Sequence, residues 1–135
     1  LSDRKERIDD ALNATKSAVE EGIVAGGEIT LLYISQALEW PTTNGANILK
    51  EAIKTPFEKL VENAGYNYAE TWGKLSPLVY PYGIDVMTGE KTDLIKVGII
   101  DPTKVVRTAL EKAVSVAIMA ITTEVLISEP YKGDD

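Results

Sequence analysis

The chain has 135 residues, of which 44% are hydrophobic, and 14 Lys and Arg against 21 Asp and Glu give it a net charge of -7. This length suits one domain with a buried core, and the composition is that of a folded chain. The acidic balance argues against nucleic acid as a partner. Because Cys and His are absent, disulfides, thiol nucleophiles, histidine bases and Cys/His zinc sites are excluded, and we predict no metal site within the chain.

The first predicted element is an amphipathic helix from Asp3 to Glu21, in which apolar residues recur at helical spacing, and Gly22 marks its end. The segment 28–40 favours a second helix, although Ile29 and Tyr33 also allow the start of a strand.

Two further helices are expected to meet at a proline. The first includes residues 48–53, and the second has Thr55 as its N-cap, Pro56 at its first position and its end at Asn63. The aromatic and irregular stretch 66–82 predicts a short helix followed by a strand or hairpin.

The last third of the chain predicts a short helix over 93–97 and then the longest helix, capped by Asp101, opened by Pro102 and ending near Thr123. The second half of that helix is apolar nearly all round, so we expect it to run through the middle of a helical domain. Residues 125–128 predict a strand that would need another chain to pair with.

No stretch is long and apolar enough for a membrane span, because Ala113–Ile127 falls short of the ~20 apolar residues required and is interrupted by polar residues. We therefore expect no membrane partner. The first residues, which begin Leu1-Ser2-Asp3, include no apolar signal region, so we expect a cytoplasmic protein.

Acidic and glycine residues are the candidates for chemistry. Asp10 lies beside Asp9, and adjacent acids on a helix are usually a solvated face. Gly26–Gly27 could approach a phosphate or a sugar, yet it also suits an ordinary turn and lacks the spacing of a nucleotide-binding fingerprint. Asp101 is explained as a helix cap and Asp85 as a loop residue, so spacing alone does not establish an enzyme.

Three ordered blocks resemble one known family. The residues 8–15 and 18–27 read IDDALNAT and AVEEGIVAGG, similar to VEDALHAT and AVEEGVVAGG of the GroEL family. The residues 98–110, GIIDPTKVVRTAL, resemble that family's GI(I/L)DPTKV(V/T)R(S/T)AL, and 121–124 resemble its ITTE. The chain thus resembles the C-terminal stretch of a group I chaperonin subunit.

This resemblance implies a mainly α fold, namely the multihelical C-terminal half of a chaperonin equatorial domain with a small β hairpin and a C-terminal edge strand. Residues 1–20 would end the intermediate domain, and residues 21–135 would belong to the equatorial, ATP-binding domain. The complete protein would be an ATP-driven ring chaperonin whose partners are other subunits, a co-chaperonin and unfolded clients. In family rings the C-terminal strand pairs with a neighbouring subunit, so 125–128 are expected to mediate self-association.

The resemblance also implies roles for individual residues. Asp10 matches the catalytic aspartate that activates the water attacking the ATP γ-phosphate. Gly27 matches the glycine whose backbone lies against the nucleotide, and Asp101 matches the aspartate that contacts the ribose. The adenine would contact a loop formed by Asp85, Val86 and Met87.

Two departures from the family pattern bear on that site. Glu28 stands where the family usually has a third glycine, and Ile84 replaces the usual aromatic residue of the adenine loop. The phosphate loop and the Mg²⁺-binding aspartate have no counterpart in these 135 residues, so ATP with Mg²⁺ is expected as cofactor of the complete protein only. The isolated chain is expected to be inactive. The alternative is a stand-alone helical interaction module without ATPase activity.

Overall fold

The computed structural model describes residues 2–125, which form six helices and four short strands. In chain order these are α1 (Ser2–Glu21), β1 (Ile23–Ala25), α2 (Ile29–Ala37), α3 (Asn44–Ala52), α4 (Thr55–Asn63), α5 (Tyr68–Leu75), β2 (Tyr82–Asp85), β3 (Glu90–Asp93), β4 (Ile100–Pro102) and α6 (Thr103–Thr122). The mainly α fold with a small hairpin is confirmed. The predicted C-terminal strand at 125–128 lies, apart from Val125, outside the described residues.

The strands form two antiparallel pairs. Strands β2 and β3 make the predicted hairpin, with Tyr82 opposite Asp93 and Asp85 opposite Glu90. Strand β1 pairs with β4, so that Val24 lies opposite Asp101. The second pair joins segments that are far apart in sequence, and it lies directly beside the Gly26–Gly27 turn.

The prediction that Asp101 caps the last helix is wrong. Asp101 is part of strand β4, α6 begins at Thr103, and no side chain caps that helix. Two constraints keep Asp101 extended: the proline that follows disfavours the helical conformation, and Val24 pairs with Asp101 in the sheet. Its carboxylate therefore remains available for other contacts.

Two smaller predictions are also wrong. Asp93 ends β3 and residues 94–98 form a turn, with a hydrogen bond of 3.2 Å from the Val97 amide to the Asp93 carbonyl, so no helix forms over 93–97. The residue before α4 is Lys54, and no side chain caps α4, so Thr55 is its first residue and not its N-cap. Because Lys54 keeps a helical conformation, α3 and α4 follow each other without an extended capping residue.

The hydrophobic core lies between α2, α4, α5 and the hairpin. Its fully buried side chains are Ala25, Ile29, Leu32, Phe57, Val61, Leu75, Ile84 and Leu94. The rings of Phe57 and Tyr68 meet edge to face, with centroids 6.2 Å apart. Ile84, at the position of the family's aromatic residue, is only 4% exposed and is therefore a core residue in this chain.

The expectation that α6 runs through the middle of the domain is wrong for the described residues. None of its residues is buried, and Met119 and Ile121 are 61% and 82% exposed. The helix packs mainly on α1 and β4, and its second half exposes large apolar side chains among residues 2–125. Within the same range, no helix combines the length and the apolarity of a membrane span.

Gly83 tests the packing of the hairpin on the core. A Cβ at Gly83 would lie 2.4 Å from Leu94 Cδ1 and 3.3 Å from Ile29 Cγ1, so Gly83→Ala should lower the free energy of unfolding by about 1–3 kcal/mol through overpacking. Gly73→Ala is the control, since a Cβ in that helix would meet nothing within 4 Å and should stabilise by up to about 1 kcal/mol. Urea denaturation measures both changes, and equal effects of the two variants would contradict this account.

Candidate functional site

The turn after β1 brings the chain close to the strand that carries Asp101. The Gly26 amide donates to the Ile99 carbonyl at 2.9 Å, and a Cβ at Gly26 would lie 3.2 Å from Asp101 Oδ2 and 3.2 Å from the Ile100 nitrogen. Gly27 has φ of 61°, a conformation that side chains rarely adopt. The first glycine therefore allows the close approach, and the second allows the turn.

Tyr80 binds Ala25, the residue directly before this turn. Its hydroxyl accepts a hydrogen bond of 3.0 Å from the Ala25 amide, and its ring packs against Tyr33 with centroids 5.4 Å apart. Thr30 Oγ1 donates to the Ala25 carbonyl at 2.8 Å. The sequence analysis missed Tyr80, because no periodicity links it to a residue 55 positions away.

Asp101 lies between two cavities. A small one of about 200 Å³ separates it from α1, where Ala14, Thr15 and Ala18 form the opposite wall. The other is a large groove that also includes Glu28. The structure therefore brings Gly26, Gly27, Glu28 and Asp101 together at one place.

Glu28 is strained and partly desolvated. It is the one residue other than glycine with a positive φ, 59°, among residues 2–125, and this conformation costs roughly 1–2 kcal/mol in an L-amino acid. Burial raises the pKa of the Glu28 carboxyl, and the nearby Asp101 carboxylate raises it further. The fold therefore places the carboxyl groups of Glu28 and Asp101 near each other.

The loop predicted to contact adenine is a separate turn at the tip of the hairpin. Asp85 Oδ1 accepts from the Met87 amide at 2.9 Å, and the Asp85 carbonyl accepts from the Gly89 amide at 2.7 Å. Val86 is partly buried, and Met87 is 88% exposed. Within residues 2–125, no hydrogen bond joins this turn to Asp101 or to Gly27.

Side chains from α5 and β3 fix the hairpin. Lys74 Nζ donates to the Gly89 carbonyl at 3.1 Å, and Lys91 Nζ donates to the Leu75 carbonyl at 3.0 Å. These bonds run in both directions between α5 and the hairpin, and they join α5 to the hairpin at Gly89 and at Lys91.

Asp10 lies on an exposed surface of α1. Thr15, which lines the small cavity beside Asp101, is five residues further along, a rise of about 8 Å at 1.5 Å per residue. No hydrogen bond or ion pair of the Asp10 side chain is found in the described part of the chain. The structure therefore places Asp10 on the helix next to the site, and not in contact with the other predicted site residues.

Ion pairs fasten the end of α1 to the start of α6. Arg107 donates to both carboxylate oxygens of Glu21, at 2.6 and 3.1 Å, and to Glu111 at 2.9 Å. Lys104 pairs with Glu20 beside them. The hydrogen bond from Arg107 lowers the pKa of Glu21, and the two carboxylates raise the pKa of Arg107. These pairs join the last turn of α1 to the first turns of α6.

An open apolar groove of about 850 Å³ runs between α3 and α6. Its walls are aliphatic and include Ile48, Leu49, Ala52, Val106, Leu110 and Ala113. Glu28 and Asp101 are the only titratable residues among the groove's described lining. No group of three or more acidic side chains that could bind a metal ion occurs within residues 2–125.

Comparisons with known proteins find chaperonins over nearly the whole chain. Residues 1–130 match the family model described as TCP-1/cpn60 chaperonin family. A curated relative, chaperonin CPN60-1, mitochondrial, from Cucurbita maxima, is 46% identical over 142 aligned residues, which cover 100% of this chain and 25% of the relative.

The chain belongs to the TCP-1/cpn60 chaperonin family. The fold agrees: the crystal structure of a group III chaperonin in the open state matches with a TM-score of 0.70 and 33% identity, over 82% of this chain and 25% of that one. The resemblance to chaperonins is therefore confirmed. This chaperonin chain spans about a quarter of the length of the relatives it matches.

The Glu21–Arg107 pair gives a test of how α1 is held on the chaperonin chain. The pair holds the folded-state pKa of Glu21 below its ordinary value of 4.5. The stabilisation of the folded chain by this pair is therefore present above pH 4.5 and is lost as the pH falls through the folded-state pKa. At pH 7, Glu21→Gln should speed amide hydrogen exchange in the last turn of α1, and high salt should reduce the difference from wild type. Glu6→Gln, which removes one charge from the other end of α1, should have no such effect. Equal exchange in all three proteins would refute the role of the pair.

Proposed function

We propose that the complete protein is an ATP-dependent ring chaperonin that assists protein folding, and that this chain supplies the nucleoside side of its ATP site and the catalytic aspartate. In this proposal, residues 1–20 end the intermediate domain and residues 21–135 form the C-terminal half of the equatorial domain. Other subunits, a co-chaperonin and unfolded clients are the proposed partners, with no role for nucleic acid or a membrane. Membership of the family and the mainly helical fold support the proposal.

The single observation that carries the nucleoside assignment is the close approach of Asp101 to Gly26. The carboxylate lies 3.2 Å from where a Cβ of Gly26 would stand, and neither Gly26 nor Gly27 carries a side chain. In the proposal, a sugar lies against Gly27 while its hydroxyls donate to Asp101. In the proposal, Asp85, Val86 and Met87 contact the adenine from the hairpin turn.

The described residues fit the nucleoside and not the phosphates. The groove end near Gly27 carries two acidic groups and no cation, and no acidic cluster of metal-binding size occurs among residues 2–125. When bound, ATP with Mg²⁺ supplies the transferable phosphoryl group and the metal charge that this reaction requires. The groups that hold the phosphates and the metal would come from the rest of the protein.

Asp10 is the proposed catalytic group. A carboxylate can accept a hydrogen bond from a water molecule and orient it for attack in line with the leaving oxygen. Its exposure on α1 suits a group that meets its substrate outside the core of this chain. The ion pairs of Glu20 and Glu21 with α6 would set the direction of that approach.

The apolar groove is the proposed packing surface for the rest of the ATP-binding domain. Its aliphatic walls on α3 and α6 would leave a large apolar patch in water if nothing covered them. The relatives are about four times as long as the chain that matches them, so the complete protein has segments that can cover this surface.

The test of the proposal is ATP turnover by the complete protein. Asp10→Ala should lower turnover by about 100-fold or more, since the attacking water would lose the group that orients it. Asp9→Ala removes a charge from the adjacent position and should leave turnover nearly unchanged. Turnover at the wild-type level in Asp10→Ala would exclude Asp10 as the catalytic group.

A second candidate function is a stand-alone helical interaction module without ATPase activity. The uncovered apolar groove and the acidic Glu28 favour it, since a self-associating module would use such a surface and would need no nucleotide. The native mass decides between the two: a subunit several times heavier than 14.7 kDa supports the chaperonin, and a native 14.7 kDa species supports the module. Self-association through residues 125–128 stays a prediction, because 126–128 lie outside the described residues.

For location we propose the cytoplasm, and fractionation of the source cells tests this. The Cucurbita maxima relative is named as mitochondrial.

A further inference from the structure

The apolar groove has an uneven charge distribution. Both of its titratable residues, Glu28 and Asp101, are acidic and close enough to interact, and no Lys or Arg lines it in the described part of the chain. A segment that packs on the aliphatic walls therefore meets negative charge where it approaches the Gly26–Glu28 turn.

Covering the groove makes this charge more costly. The Glu28 carboxylate is already partly desolvated, and burial beneath another segment would remove more of its water and strengthen its repulsion with Asp101. A single cation placed against Glu28 removes both penalties, because it compensates the buried charge and screens the two acids from each other. Aliphatic contacts alone would leave the charge unpaired.

We infer that the segment that packs in this groove in the complete protein carries a lysine or arginine side chain that forms an ion pair with Glu28. The inference rests on the proposal that the rest of the ATP-binding domain covers the groove. The occupant is therefore an apolar surface with a cation at the end nearest Glu28. Asp101 then keeps its carboxylate for the sugar, so the two adjacent acids have different partners.

The backbone at Glu28 supports a specific role for the side chain. Its left-handed conformation would be unstrained in glycine, which would also remove the repulsion with Asp101. Among residues 2–125, the Glu28 side chain forms no hydrogen bond or ion pair. A cation on the covering segment would give this carboxylate a partner once the groove is covered.

The test is the thermal unfolding of the complete protein without nucleotide, since the sign of the change separates the alternatives. Glu28→Gln keeps the shape and the backbone strain but removes the charge. If a cation pairs with Glu28, this variant should lower the Tm by roughly 2–4 °C, and Glu28→Lys should lower it further by placing two cations together. Glu39→Gln, an exposed acid outside the groove, should leave the Tm unchanged.

The contrary results are equally clear. A raised Tm in Glu28→Gln or Glu28→Lys would mean that Glu28 interacts only with Asp101. An unchanged Tm in Glu28→Gln would mean that Glu28 has no partner. Each of these results overturns the inference. If dialysis against EDTA removes the difference between wild type and Glu28→Gln, the partner is a metal ion and not a side chain. ATP turnover of Asp10→Ala is measured separately, so loss of the ion pair and failure of the proposed activity are distinguishable.

Discussion

The pairing of β1 with β4 is the constraint on which the site depends. Two strands of three residues each hold together the turn at Gly26 and the carboxylate of Asp101, which are distant in sequence. So short a pair needs other contacts, and it has them in the bond between Gly26 and Ile99 and in the Tyr80 hydroxyl that binds the Ala25 amide. A side chain at Gly26 would push the two segments apart.

The same pairing sets the position of both long helices. One residue, Gly22, separates α1 from β1, and α6 begins directly after β4. The paired strands therefore bring the end of α1 to the start of α6. The Thr103 amide donates to the Gly22 carbonyl at 3.1 Å, and the pairs formed by Glu20 and Glu21 follow on the surface. These pairs are exposed, and each contributes little to stability. They join the last turn of α1 to the first turns of α6.

Local patterns in the sequence predicted the helices well where the helix and its ends depend on neighbouring residues. The end of α1 at Glu21 and the end of α4 at Asn63 are of this kind. The errors occur where distant contacts decide: Asp101 has every local feature of a helix cap, yet Val24 draws it into a strand. The apolar composition of α6 predicted burial, yet none of its residues is buried by the part of the chain that the structure describes. For the candidate site, family motifs selected Gly27 and Asp101, whose roles stay predictions, whereas the contact of Tyr80 with Ala25 required the tertiary structure.

The contact of Gly83 with Leu94 has a consequence for how sequences with this fold can diverge. The hairpin lies so close to the core that position 83 has no room for a side chain while position 94 carries leucine. The two positions are therefore expected to covary: a relative with alanine or serine at the first should have a smaller residue, such as valine or alanine, at the second. A sequence that changes one without the other must shift the hairpin, and with it the turn at Asp85.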